Sequence, residues 1–165
     1  MDMEYAVTIL LRLVLAGLLG GIVGYEREYT NRPAGFRTHI LVCIGAALVM
    51  VTSEFMFNKY RAVTSIDPSR LGAQVISGIG FLGAGTIIRD GFNVRGLTTA
   101  ASLWAVSCVG IAAGTGFYAG AVAATVLIFV TLIVLKKAEQ HFSIRTRYRT
   151  YIVEADGAHE QVGAV

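Results

Sequence analysis

The chain has 165 residues, 55% of them apolar, with only 15% Asp, Glu, Lys or Arg, a net charge of +3 and a mean hydropathy of +0.62. Soluble domains carry roughly 25% charged residues, so this composition excludes an ordinary water-soluble fold, and the apolar content excludes disorder. Cys43 and Cys108 sit inside apolar runs without CxxC spacing, which excludes a disulfide scaffold or a zinc site.

Five apolar stretches follow in chain order, residues 5–24, 40–57, 71–88, 97–114 and 117–135. Each matches the roughly 17–25 residues a helix needs to cross about 30 Å of hydrocarbon. The predicted fold is an all-α integral membrane bundle of about five transmembrane helices over residues 1–137, with a cytoplasmic tail over 138–165. The leading Asp2 and Glu4 are acidic, unlike the basic start of a signal peptide, so the first stretch is expected to stay in the protein.

The first span carries Gly17, Gly20, Gly21 and Gly24, two overlapping GxxxG steps. In lipid, close backbone approach and dispersion replace the hydrophobic force between helices, so Gly17 and Gly21 are expected at a packing face. Arg12 lies in the outer half of this span and Glu54 at a comparable depth in the antiparallel second span. An isolated charge in hydrocarbon costs at least about 2.5 kcal/mol. An Arg12–Glu54 intramembrane ion pair is therefore expected, the alternative being that both side chains snorkel to water.

Between the first two spans lie Glu26, Arg27 and Glu28, the turn Asn31-Arg32-Pro33-Ala34-Gly35, then Arg37, Thr38 and His39. Before the third span, Asp67, Arg70 and Gln74 share a helix face by their spacing, and Asp67-Pro68 reads as a helix cap followed by proline. Capping and a functional polar site both fit Asp67. The third span holds Gly78, Gly80, Gly83 and Gly85, so it is either packed hard by neighbours or broken there. The run 78–83 matches GxGxxG, but no βαβ pattern or acidic partner about 20 residues on accompanies it, which argues against dinucleotide binding.

Arg89, Asp90, Arg95, Thr98 and Thr99 precede the fourth span, and residues 97–135 run without a charge. That run would make a helix of about 58 Å, so it must fold back, with Gly114-Thr115-Gly116 as the hinge. Lys and Arg counts favour an outside N-terminus and an inside C-terminus, with ten inside against three outside and Arg12 within a span. Residues 143–154 alternate Arg with Thr and Tyr in a strand-like period of two, the expected opening strand of a truncated cytoplasmic α+β domain. A basic segment beside anionic lipid explains it better than nucleic acid does. No Ser–His–Asp grouping, HExxH or P-loop is present, so an enzyme is not expected.

GYERE at residues 24–28, PAGFRTH at 33–39, SGIGFLGAG at 77–85 and GLTTAASLW at 96–104 resemble the signatures of the MgtC/SapB family. Asp67 with Arg70, and Gly110, Gly114 and Gly116, fit the same pattern. The resemblance implies a multi-pass bacterial inner-membrane protein linked to low-Mg²⁺ adaptation and, in pathogens, to survival inside host cells. It marks Glu26, Arg27, Arg37, Thr38, Asp67, Arg70, Gln74, Thr98, Thr99 and Trp104 as the functional polar positions. Two functions follow as expectations: regulation of other inner-membrane proteins, or transport of Mg²⁺, with Asp67 as the metal-binding carboxylate. No cofactor other than Mg²⁺ is expected. The lipid bilayer, other membrane proteins and a second copy of the chain, through the first or fifth span, are the expected partners.

Overall fold

The computed structural model describes residues 3–142, with side chains described through Val134. Five helices carry the apolar stretches: α1 (Met3–Tyr29), α2 (Phe36–Tyr60), α3 (Ser69–Gly85), α4 (Leu97–Gly114) and α5 (Tyr118–Phe142). Among the described residues, α1, α2 and α4 are long and apolar enough to cross a membrane, and α5 is apolar over Tyr118–Val134.

The turns follow local chemistry. After α1, Asn31 adopts φ 51°, and the N–H groups of Arg32 and Asn31 donate to the carbonyls of Arg27 and Glu28. After α4, Gly116 adopts φ 83°, and Phe117 and Gly116 donate to Ala112 and Ala113. Both are left-handed caps that satisfy carbonyls stranded at a helix end. The second of them reverses the uncharged run at Gly114-Thr115-Gly116.

The third stretch departs from the sequence reading. The α3 helix is continuous through its glycines, but it stops at Gly85, where the N–H and Oγ1 of Thr86 both donate to the Gly83 carbonyl. Its 17 residues reach only about 25 Å. The next residues form a hairpin of β1 (Ile88–Asp90) and β2 (Asn93–Arg95), antiparallel with Arg89 opposite Val94. The described residues are therefore mostly helical, with this short hairpin added in the connection between α3 and α4. Gly91-Phe92, with Gly91 at φ 58° in the first central position, is the two-residue turn that an apolarity scan passes over. The strand expected at residues 143–154 and the tail lie outside the described residues.

The core is built from small side chains: Ala16, Leu19, Val23, Cys43, Ala47, Val106, Val109, Ala113 and Ala121. The α4 helix is the hub and touches all four other helices. Glycine sets the spacing on both sides of α2. A Cβ on Gly20 would lie 2.7 Å from Cys43 Cβ, and one on Gly110 only 2.3 Å from the Cys43 carbonyl oxygen. Gly24 meets His39 and Phe36 in the same way, and Gly114 meets Ala47. The α2 backbone is thus gripped between α1 and α4 at near-contact distance, the geometry that replaces hydrophobic attraction in lipid.

Candidate functional site: a polar cavity at the arginine-rich end

Buried polar groups collect at the two ends of the bundle. At the first end, Arg12 Nη1 donates to Glu54 Oε2 and also to the Gly114 carbonyl at 3.0 Å. This ties α1 to the end of α2 and to the α4 cap. Nearby, Ser53 Oγ donates to the Pro68 carbonyl at 2.6 Å and anchors the start of α3.

Asp67 is exposed there, and its carboxylate accepts Ser69 N–H at 2.8 Å and Ser69 Oγ at 2.6 Å. Those bonds, chiefly the hydroxyl, hold the Asp67 carboxyl below the usual carboxylate range. Asp67 acts as a helix cap here, two residues before the first residue of α3. Arg70 and Gln74 are exposed beside it. Among the described residues, no three His, Cys, Asp or Glu side chains gather where they could hold a metal ion.

The second end is richer. Arg27 is only 5% exposed, and its Nη2 donates to Thr99 Oγ1 at 2.7 Å. Its Nη1 stands 4.0 Å from Glu26 Oε2, outside hydrogen-bond reach, and Glu26 is 7% exposed. Both Glu26 Oε2 and Arg27 Nε are buried without a partner. Behind them His39 Nδ1 donates to the Gly35 carbonyl at 3.0 Å, while Nε2 meets Ser102 Oγ at 3.1 Å. Ser102 Oγ also lies 2.8 Å from the Thr99 carbonyl, so the buried network links α1, α2 and α4.

A cavity of about 630 Å³ opens against this network. Its wall combines the end of α1 and the following turn, the hairpin, the first turn of α4 and Thr131 and Leu132 of α5. Two glycine positions shape the chain at this end. Gly96, at φ 92°, turns the hairpin into α4, and a Cβ there would lie 1.9 Å from the Thr86 carbonyl. A Cβ on Gly35 would lie 2.9 Å from Glu28 Oε2, which accepts Phe36 N–H at 2.8 Å and starts α2.

Of the motif positions, Glu26, Arg27, Thr98 and Thr99 line this cavity. Arg37 is exposed and Thr38 half-buried on the first turn of α2, and Trp104 is exposed on α4; none of the three is among the residues that line the cavity. Arg32 and Arg95 do line it, and sequence reasoning left them in a diffuse arginine cluster. Ser102 was missed altogether, although its spacing of three from Thr99 places both on one helix face.

The glycine positions divide. Gly17 and Gly21 face α2, against Ile44 and Phe36, so that face is occupied within the chain. Gly83 packs against Ala100. Gly78, Gly80 and Gly85 are exposed, and a Cβ on any of them meets nothing within 4 Å. They do not pack within this chain, because α3 rests on α2 and α4 through Gly72, Ile79 and Gly83 instead.

Residues 13–141 match the model of the MgtC family. Protein MgtC of Salmonella typhimurium strain LT2 is 45% identical over 135 residues, covering 81% of this chain and 55% of that protein. Protein MgtC of Brucella abortus strain 2308 is 46% identical over 128 residues, covering 76% of this chain and 51% of its own length. This chain thus spans about half the length of the curated relatives it matches. No solved structure matches it. With apolar helices long enough to span a bilayer and the family signature running through both buried ends, the chain belongs to the MgtC family.

Proposed function

We propose that the protein crosses the bacterial inner membrane five times, N-terminus out, and supports adaptation to low Mg²⁺ by acting on other membrane proteins. The Lys and Arg distribution supports that orientation. In this arrangement α3 crosses as a short span, with local bilayer thinning and Arg70 reaching to the headgroups. The observation that carries the regulatory reading is the outer face of α3. Gly80 and Ala84, one turn apart on the same face, are exposed, with Phe81 beside them 84% exposed. In lipid, such a face allows a partner's helix to approach at backbone distance.

The buried charges support the same reading. A cation path lines its full depth with acidic groups or carbonyls. Here the first end places Arg12 beside Glu54 and the second places Arg27 beside Glu26, with an Ala- and Val-rich core between them.

The test pairs growth at low Mg²⁺ with Mg²⁺ flux into liposomes holding only this chain. Gly80→Leu adds bulk into open space, so it should keep normal membrane levels yet lose growth support, and the unaltered chain should carry no flux. Growth support retained by Gly80→Leu would refute the α3 surface. Mg²⁺ uptake that Asp67→Asn abolishes would make the protein a transporter instead.

A further inference from the structure

We propose that the cavity at the arginine-rich end is a binding site for a phosphate ester that also carries a hydrogen-bond donor, an ammonium or a hydroxyl group. This inference stands apart from the α3 reading and rests on the charges in the cavity wall.

Arg27 is the starting point. It is a buried guanidinium whose one hydrogen bond goes to a neutral hydroxyl, and its Nε has no partner. A buried cation left without a bonded counter-ion is costly, and removing that cost needs an anion within the site. Arg32 and Arg95 line the same cavity from the α1–α2 turn and from β2. With Glu26 the wall carries three cationic groups against one anionic group, a surplus of two. That matches a phosphate group, whose oxygens suit the planar fork of arginine.

The first turn of α4 adds to the same point. Its cap residue is Gly96, no side chain caps it, and Leu97, Thr98 and Thr99 line the cavity. First-turn N–H groups and the positive end of the helix dipole favour a bound anion.

Glu26 sets the second half of the specificity. Its Oε2 is buried and unpartnered, so it opposes a bare anion and accepts a donor. An ethanolamine or glycerol phosphate meets both demands. Leu97 and Leu132 give the cavity apolar wall that an acyl-linked form of the same group could use.

The experiment uses the full chain purified in detergent, with two arms that separate the sources. One arm measures binding of soluble O-phosphoethanolamine and inorganic phosphate by equilibrium dialysis. The other measures lipid retained in native mass spectra after reconstitution with phosphatidylethanolamine and phosphatidylglycerol, and with phosphatidylcholine as a headgroup lacking a donor. Saturable binding of a donor-bearing phosphate in either arm is expected, with phosphatidylcholine weaker. Arg32→Gln with Arg95→Gln, both exposed and outside the helix packing, should weaken it about tenfold or more. Lys59→Gln with Arg61→Gln, both exposed at the other end, should leave it unchanged. Glu26→Gln should narrow the preference for ethanolamine over inorganic phosphate. Absence of saturable binding in both arms, or equal loss in the two pairs of variants, would overturn the assignment.

Discussion

Gly110→Ala tests the packing on which the fold depends. A Cβ at Gly110 would lie 2.3 Å from the Cys43 carbonyl oxygen and 2.9 Å from Ala46 Cβ, where ordinary contact begins at 3.4 Å. The α2 and α4 backbones must therefore separate by about 1 Å at this point. Retreat of α2 is resisted, because α1 packs so closely on its other side that a Cβ added to Gly20 would lie 2.7 Å from Cys43 Cβ. Overpacking of this kind costs about 1–3 kcal/mol, and a gap of 0.5–1 Å forfeits roughly a quarter to a half of each contact along the seam. Alanine's helix preference over glycine returns about 1 kcal/mol. The expected net loss is up to about 2 kcal/mol. Gly80→Ala is the control, since it meets nothing within 4 Å and should stabilise by up to about 1 kcal/mol. Reversible unfolding of the detergent-solubilised chain in sodium dodecyl sulfate, followed by helical circular dichroism, measures both. A Gly110→Ala variant no less stable than Gly80→Ala would refute the argument that α2 is clamped.

Two further outcomes follow from the first end of the bundle. Glu54→Leu leaves the Arg12 guanidinium with the Gly114 carbonyl as its described acceptor and should cost about 1–2 kcal/mol in the same unfolding assay, whereas Arg12→Leu combined with Glu54→Leu should recover much of it, because an apolar pair leaves no uncompensated charge; equal losses in the single and double variants would count against the pair. Asp67→Ala should lower thermal stability at neutral pH by removing the cap on Ser69; since the folded-state pKa is depressed, the difference from the unaltered chain should persist above the ordinary carboxylate value and vanish as pH falls through the lowered one. A difference that is independent of pH would separate the cap from the carboxylate's charge.

Much of the architecture was legible one segment at a time. Hydropathy located the apolar segments because a helix in lipid must be apolar along its length, and Gly116 marked the reversal because only a left-handed residue closes that cap. The hairpin after α3 was readable in the glycine of Gly91-Phe92, but a scan for apolar length runs past the end of α3 into Ile87 and Ile88. Ser102 and the pairing of Arg27 with Thr99 left no local trace, since they join residues 72 and 63 positions apart in sequence.

The glycines show where sequence stops deciding. Gly17 and Gly21 in α1 and the glycines of α3 look alike as small-residue runs, yet one set is filled by α2 and most of the other stands open. Composition and periodicity determined which segments become helices, because those properties follow from each segment's own side chains and its solvent. Tertiary structure alone decided which faces meet and which charges are left unpartnered beside a cavity, because close approach belongs to a pair of helices and neither member encodes it by itself.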